Sequence, residues 1–569
     1  MKNKFGFLSA SCLLTLAHCL LPTAAPAALE QIALPCVERM PNIPQSYELR
    51  DWKNVALTFD ALVFNPEATG EYFPLVHLNT KEGITNFALS SYVGPTEPRE
   101  NSNEGIAAMG AVLGASLVGI DKRKGSIDWV RSCQQFYNPK QQLVLNRVGG
   151  GAGHSYWYDV FPHIQFASLA YLYPDATADT LMMASASRWR EACFALKPSQ
   201  GEIDFEHQAF NFWTLKPSTG KWREPDAAAG IGWIQYMAWM KSHDTNFLRA
   251  ATFCLDALNA RTNNPYYEVQ LPFGAYTAVR MNAEQGRNYD TTKLINWCFD
   301  PNSVARPDMG MITDRWQDME MYGLYGSVNR QPWRPKGGGY AFAMNTYAMM
   351  WAIVPVARYD TRYARAIGKW MVNAASASRY FYANATPTNR QSCAWWKGDP
   401  DAVIGYEGIR YKWHKDEGDN VIVGGDVLRG KWAFKTDLGI YGSALVGVLG
   451  AIVQTTDVKG ILQLDCLATD FYRAPAYPTS LYYNPFPEAK TITIETGKNA
   501  SALYDATSHT FVAKNISGTT RLTLKPDSAI VIVICPTDGS ITTVNSRLLC
   551  NNRVIDWKAV ETISVNKEK

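Results

Sequence analysis

The chain has no HExxH, no paired CxxC and no G-x-S-x-G, and its eight histidines are scattered over 569 residues. These absences remove the common signatures of zinc hydrolases, zinc ribbons and serine nucleophiles. No cofactor and no metal is called for. Charge is also scarce: Asp, Glu, Lys and Arg make up 19% of the residues, and the net charge is +3. A nucleic-acid partner therefore has no electrostatic support. Beyond the N-terminus no apolar run is long enough to span a bilayer.

What is present begins with "MKNKFGFLSASCLLTLAHCLLPTAAPAALEQ". Lys2 and Lys4 form a positive start, an apolar run follows, and Ala25-Pro26-Ala27 is a small-x-small cleavage site. This pattern predicts a signal peptide over 1–27 and an exported chain, periplasmic or secreted. Cys12 and Cys19 fall inside that segment, and neither suits a lipid anchor. Of the remaining cysteines, Cys193, Cys254, Cys298 and Cys466 sit in apolar helical patterns and read as buried thiols, while Cys535 and Cys550 form the one pair to test as a bridge. Hydrophobic residues make up 47% of the chain, enough for a large core. Aromatics make up 12%; a large core accounts for most of them, and any surplus rings can stack on flat, weakly polar ligands such as sugars.

The N-terminal stretch 28–99 carries strand formers ("VALTFDALVF", "FALSSYV") and reads as a short β or extended segment. Over 100–474 helical patterns come in pairs. The first members are "NEGIAAMGAVLGASLVGI", "GHSYWYDVFPHIQFASLAYL", "EPDAAAGIGWIQYMAWM", "LPFGAYTAVRMNAEQG", "GGYAFAMNTYAMMWAIV" and "DLGIYGSALVGVLGAIV". They are rich in small residues and apolar on more than one face, the pattern of helices buried all round. The second members, such as "TADTLMMASASRWREACFAL", "TNFLRAATFCLDALNA", "DTRYARAIGKWMVNAASASRYFY" and "KGILQLDCLATDFYR", read as one-sided outer helices. The predicted fold is mainly α: an (α/α)6 toroid, followed over 475–569 by an antiparallel β-sandwich with strands such as "TITIET" and "AIVIVICP". The stretches 197–223, 299–337 and 386–435 are too long for connectors and are expected to build a binding face.

This organisation, with the stretches "WREPDAAAGIGWIQY" and "TDLGIYGSALVGVLGAIV", resembles the six-hairpin glycosidase superfamily over most of the chain. The resemblance implies a carbohydrate substrate bound in the funnel of the ring, and toroids of similar shape also occur among polysaccharide lyases. A glycosidase needs two carboxylates about the scissile bond, one of them kept protonated. The expected pair is Glu407, in "VIGYEGIRYKW", where a salt bridge to Arg410 is the structural alternative, and Asp318, in "MITDRWQDMEMYGLYGS". Glu224 and Asp226 are reserves, since acids at a helix start are explained by capping alone. Trp222, Arg223, Trp316, Trp333, Tyr406 and Asp159 are expected substrate contacts. A lyase would instead draw its base, acid and carboxylate neutraliser from His154, His207, Tyr340, Asn345 and Arg287. A glycan-binding protein without catalysis is the third reading.

Overall fold

The computed structural model describes residues 29–81, 84–94, 104–328, 338–392, 402–414, 417–425 and 438–559. The expected signal peptide, with Cys12 and Cys19, and the expected sugar contact Trp333 lie outside the described residues. In chain order the helices are α1 Pro35–Glu38, α2 Trp52–Val63, α3 Gly105–Leu117, α4 Trp129–Ser132, α5 Tyr156–Leu172, α6 Ala176–Leu196, α7 Ala227–Ser242 and α8 Thr245–Ala260. They continue with α9 Leu271–Gln285, α10 Thr291–Phe299, α11 Ala343–Ile353, α12 Val356–Tyr359, α13 Ala364–Ala377, α14 Ile440–Ser443 and α15 Val446–Ile452.

The six small-residue segments form α3, α5, α7, α9, α11 and the broken pair α14 and α15. Each packs on the next, and α15 returns to pack on α3, so the inner helices close a circuit. Small residues are what permit this closeness. A Cβ on Gly447 of α15 would run into the backbone of Gly114 on α3, and one on Gly274 of α9 would meet Ala229 of α7 at 2.5 Å. Every residue of α11 is buried. Outside the circuit, α6 lies against α5 and α7, α8 against α7 and α9, α10 against α9, and α2 against α15 and α3. Among the described residues no helix is long and apolar enough to cross a membrane.

Four local expectations need correction. The stretch "VALTFDALVF" is not extended but lies in α2, because Trp52, Val55, Ala56, Phe59 and Val63 recur at helical spacing and Asp51 caps the start by accepting the Asn54 N–H. In "KGILQLDCLATDFYR" the segment Leu462–Asp465 is a strand, with Leu462 and Leu464 buried and Gln463 and Asp465 half-exposed. Helix α13 is not solvent-facing: all its residues except Arg365 are buried, since strands Thr479–Asn484 and Ser528–Pro536 cover its outer side. The loops 299–337 and 386–435 contribute strands to a five-stranded antiparallel sheet in the order Val421–Gly424, Gly408–Tyr411, Gly339–Phe342, Tyr325–Ser327, Met309–Met311.

After the circuit, six antiparallel strands form one sheet in the order Val453–Thr455, Leu462–Asp465, Thr479–Asn484, Ser528–Pro536, Lys490–Asp505, Thr510–Leu524. A separate three-stranded meander follows over 541–556. The expected sandwich is thus, among the described residues, a sheet lying on α13 plus this meander. Cys535 and Cys550 are free thiols here, set beside one another, with burial pushing the Cys535 thiol up to about 12.

The far end of the inner helices is locked by a buried ionic group. Arg280 of α9 donates to Glu284 at 2.8 Å and to the Phe471 and Tyr472 carbonyls at 2.8 Å each, and Arg358 donates to Asp470 at 2.7 Å. Tyr236 adds a hydrogen bond to Glu284 at 2.7 Å.

The glycine contact between α15 and α3 makes a direct stability prediction. Gly447→Ala should lower unfolding free energy by about 1–3 kcal/mol, the usual cost of overpacking, read as a lower urea midpoint. An unchanged midpoint would mean that the two helices can part without loss.

Candidate active site

The first turns of α3, α5, α7, α9, α11 and α14 are drawn together at one end of the circuit by side chains that reach from one helix start to the next. Helix starts leave backbone N–H groups unpaired and carry partial positive charge, so acids gather there. Glu224 and Asp226 stand immediately before α7, yet neither side chain caps α7. Glu224 instead accepts the Trp157 N–H at 2.7 Å and the Ser155 hydroxyl at 2.8 Å, both at the start of α5. Asp226 accepts backbone N–H groups leading into α9, among them Glu268 at 3.3 Å. One short segment thus closes the starts of the two helices flanking its own. Asp159 does similar work nearby, accepting the Gly153 N–H at 2.8 Å. Burial pushes these carboxyls up, Glu224 to about 8, Asp226 to about 7 and Asp159 to about 7.

Glu407 immediately precedes the strand Gly408–Tyr411, and its carbonyl accepts the Ala343 N–H at 3.0 Å, which fixes it over the start of α11. The salt bridge to Arg410 does not form; Arg410 pairs with Glu417 at 2.6 Å. The Tyr92 hydroxyl donates to Glu407 Oε1 at 2.7 Å. Tyr92 stacks on Tyr441 of α14, with ring centroids 6.0 Å apart. Beside them is Glu104, the residue before α3, which accepts from Ser91 at 2.9 Å and from Asn146 at 3.1 Å. Burial raises the Glu104 carboxyl, against the pull of these donors and of Arg147. Tyr158 of α5 completes the group. The residue is 40% exposed, while its hydroxyl meets Tyr441 and is raised by burial and by the charges of Glu104 and Glu407.

A second group adjoins the first. Asn345 of α11 donates to Glu268 at 3.2 Å, Glu268 pairs with Arg306, and Arg306 donates to the Tyr340 hydroxyl at 3.2 Å. The Tyr267 ring lies 5.6 Å from the Arg306 guanidinium, and burial together with Glu224 raises its hydroxyl. On the rim, Trp222 is 50% exposed and Arg223 is exposed. Gln208 joins that rim to the α5 loop, accepting the Trp222 N–H at 3.3 Å and donating to the His154 carbonyl at 2.7 Å. His207 lies alongside, its carbonyl accepting the Glu224 N–H at 2.9 Å.

Several expected site residues lie elsewhere or are otherwise engaged. Asp318 is at a hairpin tip, 64% exposed and paired with Arg390 at 2.6 Å, which holds its carboxyl below the usual carboxylate range. That is the reverse of what a protonated general acid needs. Trp316 is 1% exposed, closed over by Tyr411 and by Gly339, so it has no free face for a sugar. Tyr406 is buried, with its hydroxyl on Gln391 at 2.8 Å. Arg287 is exposed just past the end of α9, beside Thr252 at 3.4 Å, and so lies at the opposite end of that helix from Asn345 and Glu268. The sequence reading missed Glu104, Tyr92, Tyr158, Tyr441, Glu268 and Arg306. Glu104 had a signal: it directly precedes a small-residue helix, as Glu224 and Asp226 do.

The raised Glu224 carboxyl makes stability depend on pH. Its ordinary value is 4.5 and its folded value about 8, so the folded chain holds this proton more tightly than the unfolded chain. Folding stability is therefore lost as pH rises from about 4.5 to about 8, with no further loss above. Melting temperature of the wild type should fall relative to Glu224→Gln across that window. A constant difference between the two proteins would refute the assignment.

No family model and no curated protein matches the chain. Among solved structures it is similar to a family 127 β-L-arabinofuranosidase from Geobacillus stearothermophilus T6, at 10% identity over 90% of this chain and 85% of that one, with a TM-score of 0.36. It is also similar to a family 76 glycoside hydrolase from a bovine Bacteroides thetaiotaomicron strain, at 12% identity over 71% and 77%, with a TM-score of 0.37. A third similar structure is an endoglucanase from Clostridium thermocellum, at 10% identity over 90% and 99%, with a TM-score of 0.33.

Proposed function

We propose that the chain is an exported glycoside hydrolase built on an (α/α)6 toroid, with its active site at the gathered starts of the inner helices. The observation that carries this is the placement of Glu104 and Glu407 beside one half-exposed residue, Tyr158. Glu104 is the acid: burial favours its protonated form, which is what protonating a leaving oxygen requires. Glu407, oriented by the Tyr92 hydroxyl, is the partner that attacks the anomeric carbon or activates water. Tyr158 and the exposed Trp222 offer faces to sugar rings. Glu407 keeps the role the sequence suggested, and Glu104 takes the place of Asp318.

A lyase is the second reading. It is favoured by the meeting of Arg306, Asn345 and Tyr340, which could neutralise a uronate carboxylate and supply a proton acceptor.

Incubation with a panel of polysaccharides separates the readings. Hydrolysis yields new reducing ends without the ultraviolet band of an unsaturated uronate; elimination yields the band. Under the hydrolase reading, Glu407→Gln and Glu104→Gln should each cut turnover by about 10²–10⁴-fold, with melting temperature unchanged. Near-normal turnover in either variant removes that residue from the chemistry.

A further inference from the structure

We propose that Cys193 and Cys254 form a disulfide that ties the outer helix α6 to the outer helix α8. The sequence pattern suggests two unrelated buried thiols, 61 positions apart. The fold brings them into contact: both are fully buried and their Sγ atoms are 3.6 Å apart. Helices α6 and α8 pack directly on each other and both lie against α7. On the α7 side the site is closed, since a Cβ on Gly232 would meet the Cys254 Cβ at 3.2 Å. The two thiols therefore have each other as neighbours within a tightly filled seam. An S–S bond of about 2.05 Å needs the sulfurs to approach by roughly 1.5 Å, a movement within reach of side-chain rotation about Cα–Cβ.

The chemistry balances simply. Each thiol gives up a proton, the pair gives up two electrons, and one S–S bond forms. The acceptor is a disulfide-class oxidant, such as oxidised glutathione or a protein dithiol oxidase, whose own S–S bond is reduced to two thiols. Because both sulfurs are sealed from solvent in the folded chain, exchange must occur before α8 settles against α6. The bridge is thus a folding-stage modification. Its loop spans all of α7 and the first part of α8, so it restrains the unfolded chain across that inner helix. The inference does not depend on the activity proposed above.

The test is to refold the full chain from denaturant with oxidised and reduced glutathione, alkylate, digest and map the peptides. The expected result is a linked peptide containing Cys193 and Cys254, two hydrogens lighter than its parts. It should be accompanied by a melting temperature several degrees above that of the same protein fully reduced. Cys193→Ala, refolded identically, should lack that peptide and should lose that increment. Recovery of natively folded protein in which both thiols are alkylated would overturn the proposal, as would linkage of either cysteine to any other. Separate mapping of Cys535 and Cys550 keeps a bridge in the C-terminal strands from being mistaken for this one.

Discussion

Six helix starts facing one end of a closed circuit create a shared electrostatic demand. Each brings unpaired N–H groups and a partial positive charge, and crowding leaves little water to answer them. The chain answers across helices. Glu224 serves α5 and Asp226 serves α9, although both precede α7. Acids are drawn to this end first by helix chemistry, and burial among like neighbours then raises them. Glu104 and Glu407 lie at this same end, both close enough to Tyr158 to raise its hydroxyl.

The opposite end inverts the arrangement. There the inner helices finish, and the buried charges at that end include the guanidinium groups of Arg280 and Arg358. Arg280 donates to two carbonyls of the 466–473 segment while Asp470 binds Arg358. Losing one partner from such a group leaves an uncompensated buried charge, at a cost of about 3–5 kcal/mol. One end of the helix circuit is therefore fixed by a dense ionic lock, and the other carries polar groups that reach solvent through Tyr158 and Trp222.

The helical circuit was readable because small residues in all-round apolar segments are a local signal that survives without tertiary context. Glu407 stood out in the sequence as an acid between Tyr406 and Gly408, with Arg410 as its alternative partner; in the structure Arg410 pairs with Glu417 instead. The failures share a cause. Asp318 resembled an acid in an aromatic loop, but its partner Arg390 is 72 positions away. Trp316 looked available for stacking until a distant strand closed over it. Helix α13 looked amphipathic because its polar residues are satisfied remotely, Lys369 by Glu38 and Asn373 by the Pro41 carbonyl. Leu462–Asp465 followed a helical run and inherited its reading, though four residues of alternation are enough for a strand when a sheet awaits.

The five-stranded sheet has a consequence for how this rim can change over generations. Gly408 lies between Phe342 and Gly424 in a fixed register, and Glu407 is the residue just before it. Strand side chains alternate, so one residue added between Glu407 and Gly408 would turn the carboxylate to the other face. A residue added in the hairpin connection after Tyr411 would leave that alternation intact. Hairpin length beyond Tyr411 can therefore change without turning Glu407, whereas an insertion between Glu407 and Gly408 turns it.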